Sequence, residues 1–178
     1  SCEIGLALSQ NGTGTKAMSE WCIRVSLSAQ KLELFNHEKI LKEYIVSTSK
    51  KGGGEIADSF QTPRGRHIIR AKIGAQEAEG TVFRGRRNTG EIYSEELGRE
   101  NPDKDWVLTR ILWLSGTEVG RNRLGSVDTM RRFIYIHGTP YTLKLGEPVS
   151  LGCVRMSNVD ITELFELVPI GTIVEIVD

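Results

Sequence analysis

The chain has 178 residues, the size of one domain with room for a real core. Its 23 lysines and arginines balance 23 aspartates and glutamates, so no net charge draws the whole molecule to nucleic acid or to an anionic membrane. No apolar run reaches the roughly twenty residues of a spanning helix, which argues against a membrane span.

Residues 1–17 contain Gly5-Leu6-Ala7-Leu8 and then turn polar, without the basic start and apolar core of a signal peptide. They read as a flexible tail or leader remnant, with one domain over 18–178 and Met18 just ahead of its first strand. Ile23, Val25 and Leu27 alternate with polar neighbours, as do Leu32 and Leu34, and a third run covers Ile40 to Val46. This pattern predicts a meander of half-buried strands joined by short turns. Lys50-Lys51-Gly52-Gly53-Gly54 is a flexible loop, Thr62-Pro63-Arg64-Gly65 a tight turn, and His67 to Ile73 another strand.

From Gly74 to about Arg110 the periodicity weakens into charge, glycine and scattered aromatics, the mark of a functional lid or a small capping element. Ile111–Leu114 and Phe133–Ile136 are the most buried-looking strands, and the second delivers His137 at its end. Ser157 or Asn158 can cap a helix whose apolar residues Ile161, Leu164, Phe165 and Val168 share one face, with Pro169 stopping it. Thr172 to Val177 closes the chain as a strand. The expected fold is mainly β, a β-sandwich or partly closed barrel with one or two short helices and a lid insertion.

Arginine is locally dense, as in Arg84-Gly85-Arg86-Arg87 and Arg131-Arg132. Most of these read as solvated surface, and a few would line a groove for a ligand bearing carboxylates or phosphates. Cys2, Cys22 and Cys153 are odd in number and share no CxxC spacing, which argues against a disulfide framework and a zinc knuckle. His37 and His67 stand alone and read as structural, so no metal site is expected. By itself Cys153 would read as an apolar filler. Gly152 before it, polar Ser150 and cationic Arg155 beside it, and His137 at a strand end bring a nucleophile into equal contention.

His137-Gly138-Thr139-Pro140 followed by Ser150-x-Gly152-Cys153-x-Arg155 resembles the signature of the L,D-transpeptidase catalytic domain, the YkuD-type family. The resemblance extends upstream to Val46-Ser47-Thr48 and Thr62-Pro63-x-Gly65, covering roughly residue 22 to the C-terminus. It implies a β-sandwich enzyme acting on peptidoglycan stem peptides, at the bond between the L-centre of a diamino acid and a terminal D-alanine. Carried onto this chain, Cys153 would form a thioester, His137 would serve as base and then acid, and the Gly138 carbonyl would orient the imidazole. Backbone N–H groups of Gly152 and Cys153 would hold the oxyanion, while Ser150 and Arg155 would shape the substrate pocket, Arg155 against a carboxylate. Leu151 stands where several relatives carry histidine, a change expected to alter substrate preference and leave the chemistry intact.

The resemblance also implies no cofactor, and carbapenem-type β-lactams as acylating inhibitors. Water as acceptor would make the protein an L,D-carboxypeptidase that trims wall fragments during cytoplasmic recycling. An amine acceptor would make it a crosslinking transpeptidase in the periplasm or cell envelope. The lack of a visible export signal, lipoprotein anchor or wall-binding module inclines the expectation toward water and the cytoplasm. A cysteine peptidase or amidase of other specificity, or a non-catalytic wall-peptide binder, are the competing classes.

Overall fold

A computed structural model describes residues 20–178; the expected tail over 1–17 lies outside the described residues. Three strands, β1 (Trp21–Ser26), β2 (Lys31–Asn36) and β3 (Lys39–Ile45), form the anticipated antiparallel meander. Their alternation sends Ile23, Val25, Leu32 and Leu34 inward with no exposed surface. After β4 (Gly65–Ile73), the weakly patterned stretch folds into a hairpin, β5 (Thr81–Arg84) and β6 (Arg87–Ile92), and a short helix α1 (Glu95–Glu100). Sequence periodicity missed this hairpin because all six residues of β6 are exposed and Ile92 is its one large apolar side chain, too little for an alternation to show.

The long strand β7 (Val107–Gly116) and the short strands β8 (Tyr135–Gly138) and β9 (Val154–Met156) follow. Helix α2 (Asn158–Leu167) and β10 (Ile173–Val177) close the chain. The strand expected from Phe133 begins two residues later, at Tyr135. Phe133 has φ +57°, a left-handed conformation that a β-ladder does not accommodate. Ser157 caps α2 as expected, its side chain accepting from Asp160 N–H at 3.1 Å. Ile161, Leu164 and Phe165 point into the core from the opposite side of the helix to solvent.

The ten strands among the described residues belong to one mixed sheet, with β1 parallel to β10 and β8 parallel to β9. The sheet curls, because one buried cluster joins Leu32 and Leu34 of β2 to Ile136, Val154 and Met156 of β8 and β9. Closure is partial: Ser47, just past β3, pairs with Arg155 of β9 through two backbone bonds of 3.0 and 2.8 Å. β9 branches off the strand path through β8, so this isolated bridge brings the chain beyond the β3 edge against that branch and partly closes an otherwise open mixed sheet. No helix among the described residues is long and apolar enough to cross a membrane.

The three cysteines, read as no disulfide framework, include two among the described residues. Cys22 is disulfide-bonded, and Cys153 is free. An odd count excluded complete pairing, but it left room for one pair and one thiol.

Candidate active site

Strands β8 and β9 run side by side, with Ile136 opposite Val154 and His137 opposite Arg155. Side chains alternate between faces of a sheet, so Tyr135 and His137 share one face with Cys153 and Arg155. Ile136, Val154 and Met156 fill the other, against α2. Neighbouring β7 adds Ile111 and Trp113 to the same face as His137 and Tyr135, since these are register partners. Sequence neighbours of opposite character are thereby sorted, apolar groups inward and chemically active ones onto a common surface.

His137 is fully buried, and its Nδ1 lies 2.8 Å from the Gly138 carbonyl oxygen. A carbonyl can only accept, so Nδ1 carries the proton and Nε2 presents a lone pair. Among the described residues Nε2 has no hydrogen-bond partner. Burial holds the imidazole below its ordinary range and Arg155 adds to this, while Asp105 and the Gly138 carbonyl oppose it. A Cβ on Gly138 would lie 2.7 Å from the Leu108 carbonyl and would also collide with Asn158, so this position must be glycine.

Cys153 is half-buried, with its sulfur packed on the cluster of Phe83, Ile111 and Tyr135. The Tyr135 N–H donates to Sγ at 3.3 Å, and the thiol donates to the Phe133 carbonyl at 3.4 Å. No hydrogen bond joins the sulfur to the imidazole. Burial pushes the thiol up to about 12; the Tyr135 N–H and the cations Arg155 and Arg132 pull the other way. The thiol and the imidazole, on one face of the sheet, are therefore both neutral at rest.

The loop before the cysteine is tied down from several directions. Ser150 is buried; its hydroxyl donates to the Cys153 carbonyl at 2.6 Å and accepts from the Gly152 N–H at 3.2 Å. Expected to shape the substrate pocket, Ser150 instead spends its hydroxyl on the loop itself. The Gly152 N–H, expected to hold an oxyanion, is turned onto that hydroxyl. Gly152 has φ +129°, in the region glycine tolerates, and its carbonyl accepts from Thr62 Oγ1 at 2.9 Å. The Ser150 N–H donates to the Thr48 carbonyl at 2.9 Å, and Gln30 holds Thr48 in turn. Thus the upstream segments Val46-Ser47-Thr48 and Thr62-Pro63 converge on the cysteine loop.

Arg155 faces the site, almost wholly buried, and its Nη2 donates to Asp105 Oδ1 at 2.7 Å. Asp105 had no sequence signal, since a lone carboxylate in a charged stretch looks like any solvated one. Arg86, from the β5–β6 turn, donates to the Tyr135 hydroxyl at 3.0 Å and lies 4.2 Å over Trp113 and 5.1 Å over Phe133. Residues beyond β4 do reach over the site, as the lid expectation required, through this hairpin. Arg132 completes the wall, donating to the Gly54 and Gln61 carbonyls at 3.1 and 2.6 Å. Elsewhere Arg64, Arg66 and Arg121 pair with Asp178, Glu175 and Glu118.

Comparison with known proteins bears on the fold and the family. A Bacillus licheniformis protein named as the L,D-transpeptidase YkuD is 29% identical over 154 residues, covering 86% of this chain and 64% of its own length. The Escherichia coli protein named as the L,D-transpeptidase YbiS is 51% identical over 47 residues, 26% of this chain and 15% of that one. The chain thus spans less than two thirds of these relatives. Among solved structures, an L,D-transpeptidase from Mycobacterium smegmatis superposes with a TM-score of 0.54 at 18% identity, covering 89% of this chain and 58% of that one. L,D-transpeptidase 3 from Mycobacterium tuberculosis, in complex with a faropenem-derived adduct, gives 0.55 at 16%, covering 90% and 61%. At such identities these two establish the shared fold. The profile of the L,D-transpeptidase catalytic domain, YkuD, matches residues 20–176, and the chain belongs to that family.

Proposed function

We propose that Cys153 is the nucleophile and His137 the base of an acyl transfer on peptidoglycan stem peptides, at the diamino acid–D-alanine bond. The observation that carries this reading is the vacant Nε2 lone pair of a buried, correctly tautomerised imidazole, on the same sheet face as the free thiol. The reading requires the thiol to leave the Phe133 carbonyl and reach Nε2 when substrate binds, as hydrogen bonds in unliganded catalytic sites commonly tighten only with substrate. The thiol proton passes to Nε2 as sulfur attacks the diamino acid's carbonyl. The C–N bond then breaks, and imidazolium returns the proton to the departing D-alanine amine. The Gly138 carbonyl stabilises the imidazolium through Nδ1–H. With the Gly152 N–H committed to Ser150, the oxyanion role falls to the Cys153 N–H, to which Gly152 contributes once Ser150 releases it.

Water or an amine then resolves the thioester. The expectation of a cytoplasmic trimming enzyme meets an opposing observation in the disulfide at Cys22, because such bonds persist in oxidising compartments. This supports a periplasmic or cell-envelope enzyme with an amine acceptor, and water as the competing one. By the same thioester chemistry, carbapenems should acylate Cys153; the faropenem-derived adduct of the mycobacterial neighbour lends support. The decisive experiment weighs the intact protein after carbapenem treatment and analyses products from a disaccharide tetrapeptide with and without a second stem. An adduct that survives Cys153→Ala overturns the nucleophile. Tripeptide as the sole product, with acceptor present, overturns the amine reading.

A further inference from the structure

Strand β7 carries two more residues than β8 where the two strands pass the candidate base. Leu108 lies opposite Gly138 and Ile111 opposite His137, so Thr109 and Arg110 bulge between the partners of those two residues. Thr109 is fully buried and has φ +74°, a left-handed conformation that a β-branched residue rarely adopts. Strain of this kind persists only where the surroundings hold it, and it gathers at functional sites. Here the hold is visible. The Thr109 hydroxyl donates to Asn158 Oδ1 at 2.7 Å and accepts from the Gly80 N–H at 3.0 Å. Arg110 Nη1 donates to the Thr109 carbonyl at 2.7 Å.

The bond to Asn158 sets its amide oxygen against Gly138. A Cβ built on Gly138 would lie 2.4 Å from Asn158 Oδ1, 2.7 Å from the Leu108 carbonyl oxygen and 3.3 Å from Ile161 Cγ2. The residue is thus walled in by β7 on one side and α2 on the other. Glycine has the freest backbone of any residue, yet the Gly138 carbonyl has to stay on His137 Nδ1. We propose that Thr109 and Asn158 are positioning residues for the acyl transfer: their hydroxyl–amide bond holds Gly138 in place, and the Gly138 carbonyl in turn fixes the tautomer of the His137 ring. The inference rests on the assignment of His137 as base and adds two residues that keep it one. When Gly138 turns away, Nδ1 loses its acceptor and the ring proton is free to sit on Nε2. That nitrogen then offers the thiol an N–H in place of a lone pair. The hydroxyl is required in both its capacities, donor to Asn158 and acceptor from Gly80, and valine supplies neither.

The test follows two readouts on the intact protein: carbapenem acylation of Cys153 by mass, and the ring-nitrogen shifts of isotopically labelled histidine by NMR. The His137 signals are assigned by their loss in His137→Gln. Wild-type protein should show the Nδ1–H tautomer. Thr109→Val and Asn158→Ala should each slow acylation about 10–100-fold, the effect of a small misplacement at a reacting group, and bring in the Nε2–H signature. Thr109→Ser, which keeps the hydroxyl, should recover most of the rate and the wild-type shifts. Asn158 opens α2 and is partly exposed, so Asn158→Ala carries the test should Thr109→Val fail to fold. Folded variants acylated at the wild-type rate overturn the proposal. Slower acylation with the ring still in the Nδ1–H form reduces the pair to a structural contact and overturns it too, as does Thr109→Ser acylating as slowly as Thr109→Val. Wild-type protein that is not acylated, or is acylated equally fast after His137→Gln, overturns the reading beneath it.

Discussion

A preformed thiolate–imidazolium pair and a neutral pair predict different alkylation of Cys153. Its thiol is pushed up to about 12 from an ordinary 9.0, and the imidazole is held neutral by the same burial. Such a rise leaves on the order of 10³-fold less thiolate at neutral pH than an unperturbed thiol would carry. Iodoacetamide should therefore label Cys153 slowly at pH 7, and the rate should rise about tenfold for each pH unit up to the alkaline limit of folding. Since Cys153 is the free cysteine among the described residues, intact mass reports this site directly. A rate that is flat between pH 6 and 9, or as fast at pH 7 as a small-molecule thiol, would refute the neutral pair. It would show that imidazolium and thiolate exist before substrate arrives. Substrate-dependent turnover should be less steep, because proton transfer to Nε2 then accompanies attack.

Ser150→Ala removes the hydroxyl that bridges the Gly152 N–H and the Cys153 carbonyl; a loss of about 1–3 kcal/mol in urea unfolding is expected, with a large fall in carbapenem acylation rate. Gly138→Ala should abolish acylation while Gly146→Ala should not, because only the former drives a methyl into the Leu108 carbonyl. Lys72 donates to the Phe165 and Val168 carbonyls at 2.6 and 2.8 Å, so Lys72→Met should lower the melting temperature by uncapping α2 and leave acylation intact. His67 is buried and lowered to about 4, mainly by burial, with the Glu118 carboxylate opposing and Arg121 adding. Its folded form thus binds fewer protons than the unfolded chain, so stability is full above pH 6.5 and falls by about 3 kcal/mol as pH drops to 4. His67→Leu should flatten that slope in urea titrations; an unchanged slope would assign the acid sensitivity elsewhere.

Local patterns were enough to place most of the framework. The β1–β3 meander, the capped helix with its Pro169 stop and the closing strand are each encoded within a few neighbouring residues, as alternation, a cap or a turn. The run from His137 to Arg155 likewise marked the candidate site, because the family signature it resembles is local, whereas the residues alone left the thiol in equal contention with an apolar filler. Asp105 reaches Arg155 across fifty positions, Thr62 reaches Gly152 across ninety, and Ser47 closes the barrel on β9. No window of sequence contains those pairs. Which hydroxyl a loop consumes, which carboxylate neutralises a buried guanidinium, and which faces β8 and β9 share are settled only when the sheet curls and brings distant backbone into register.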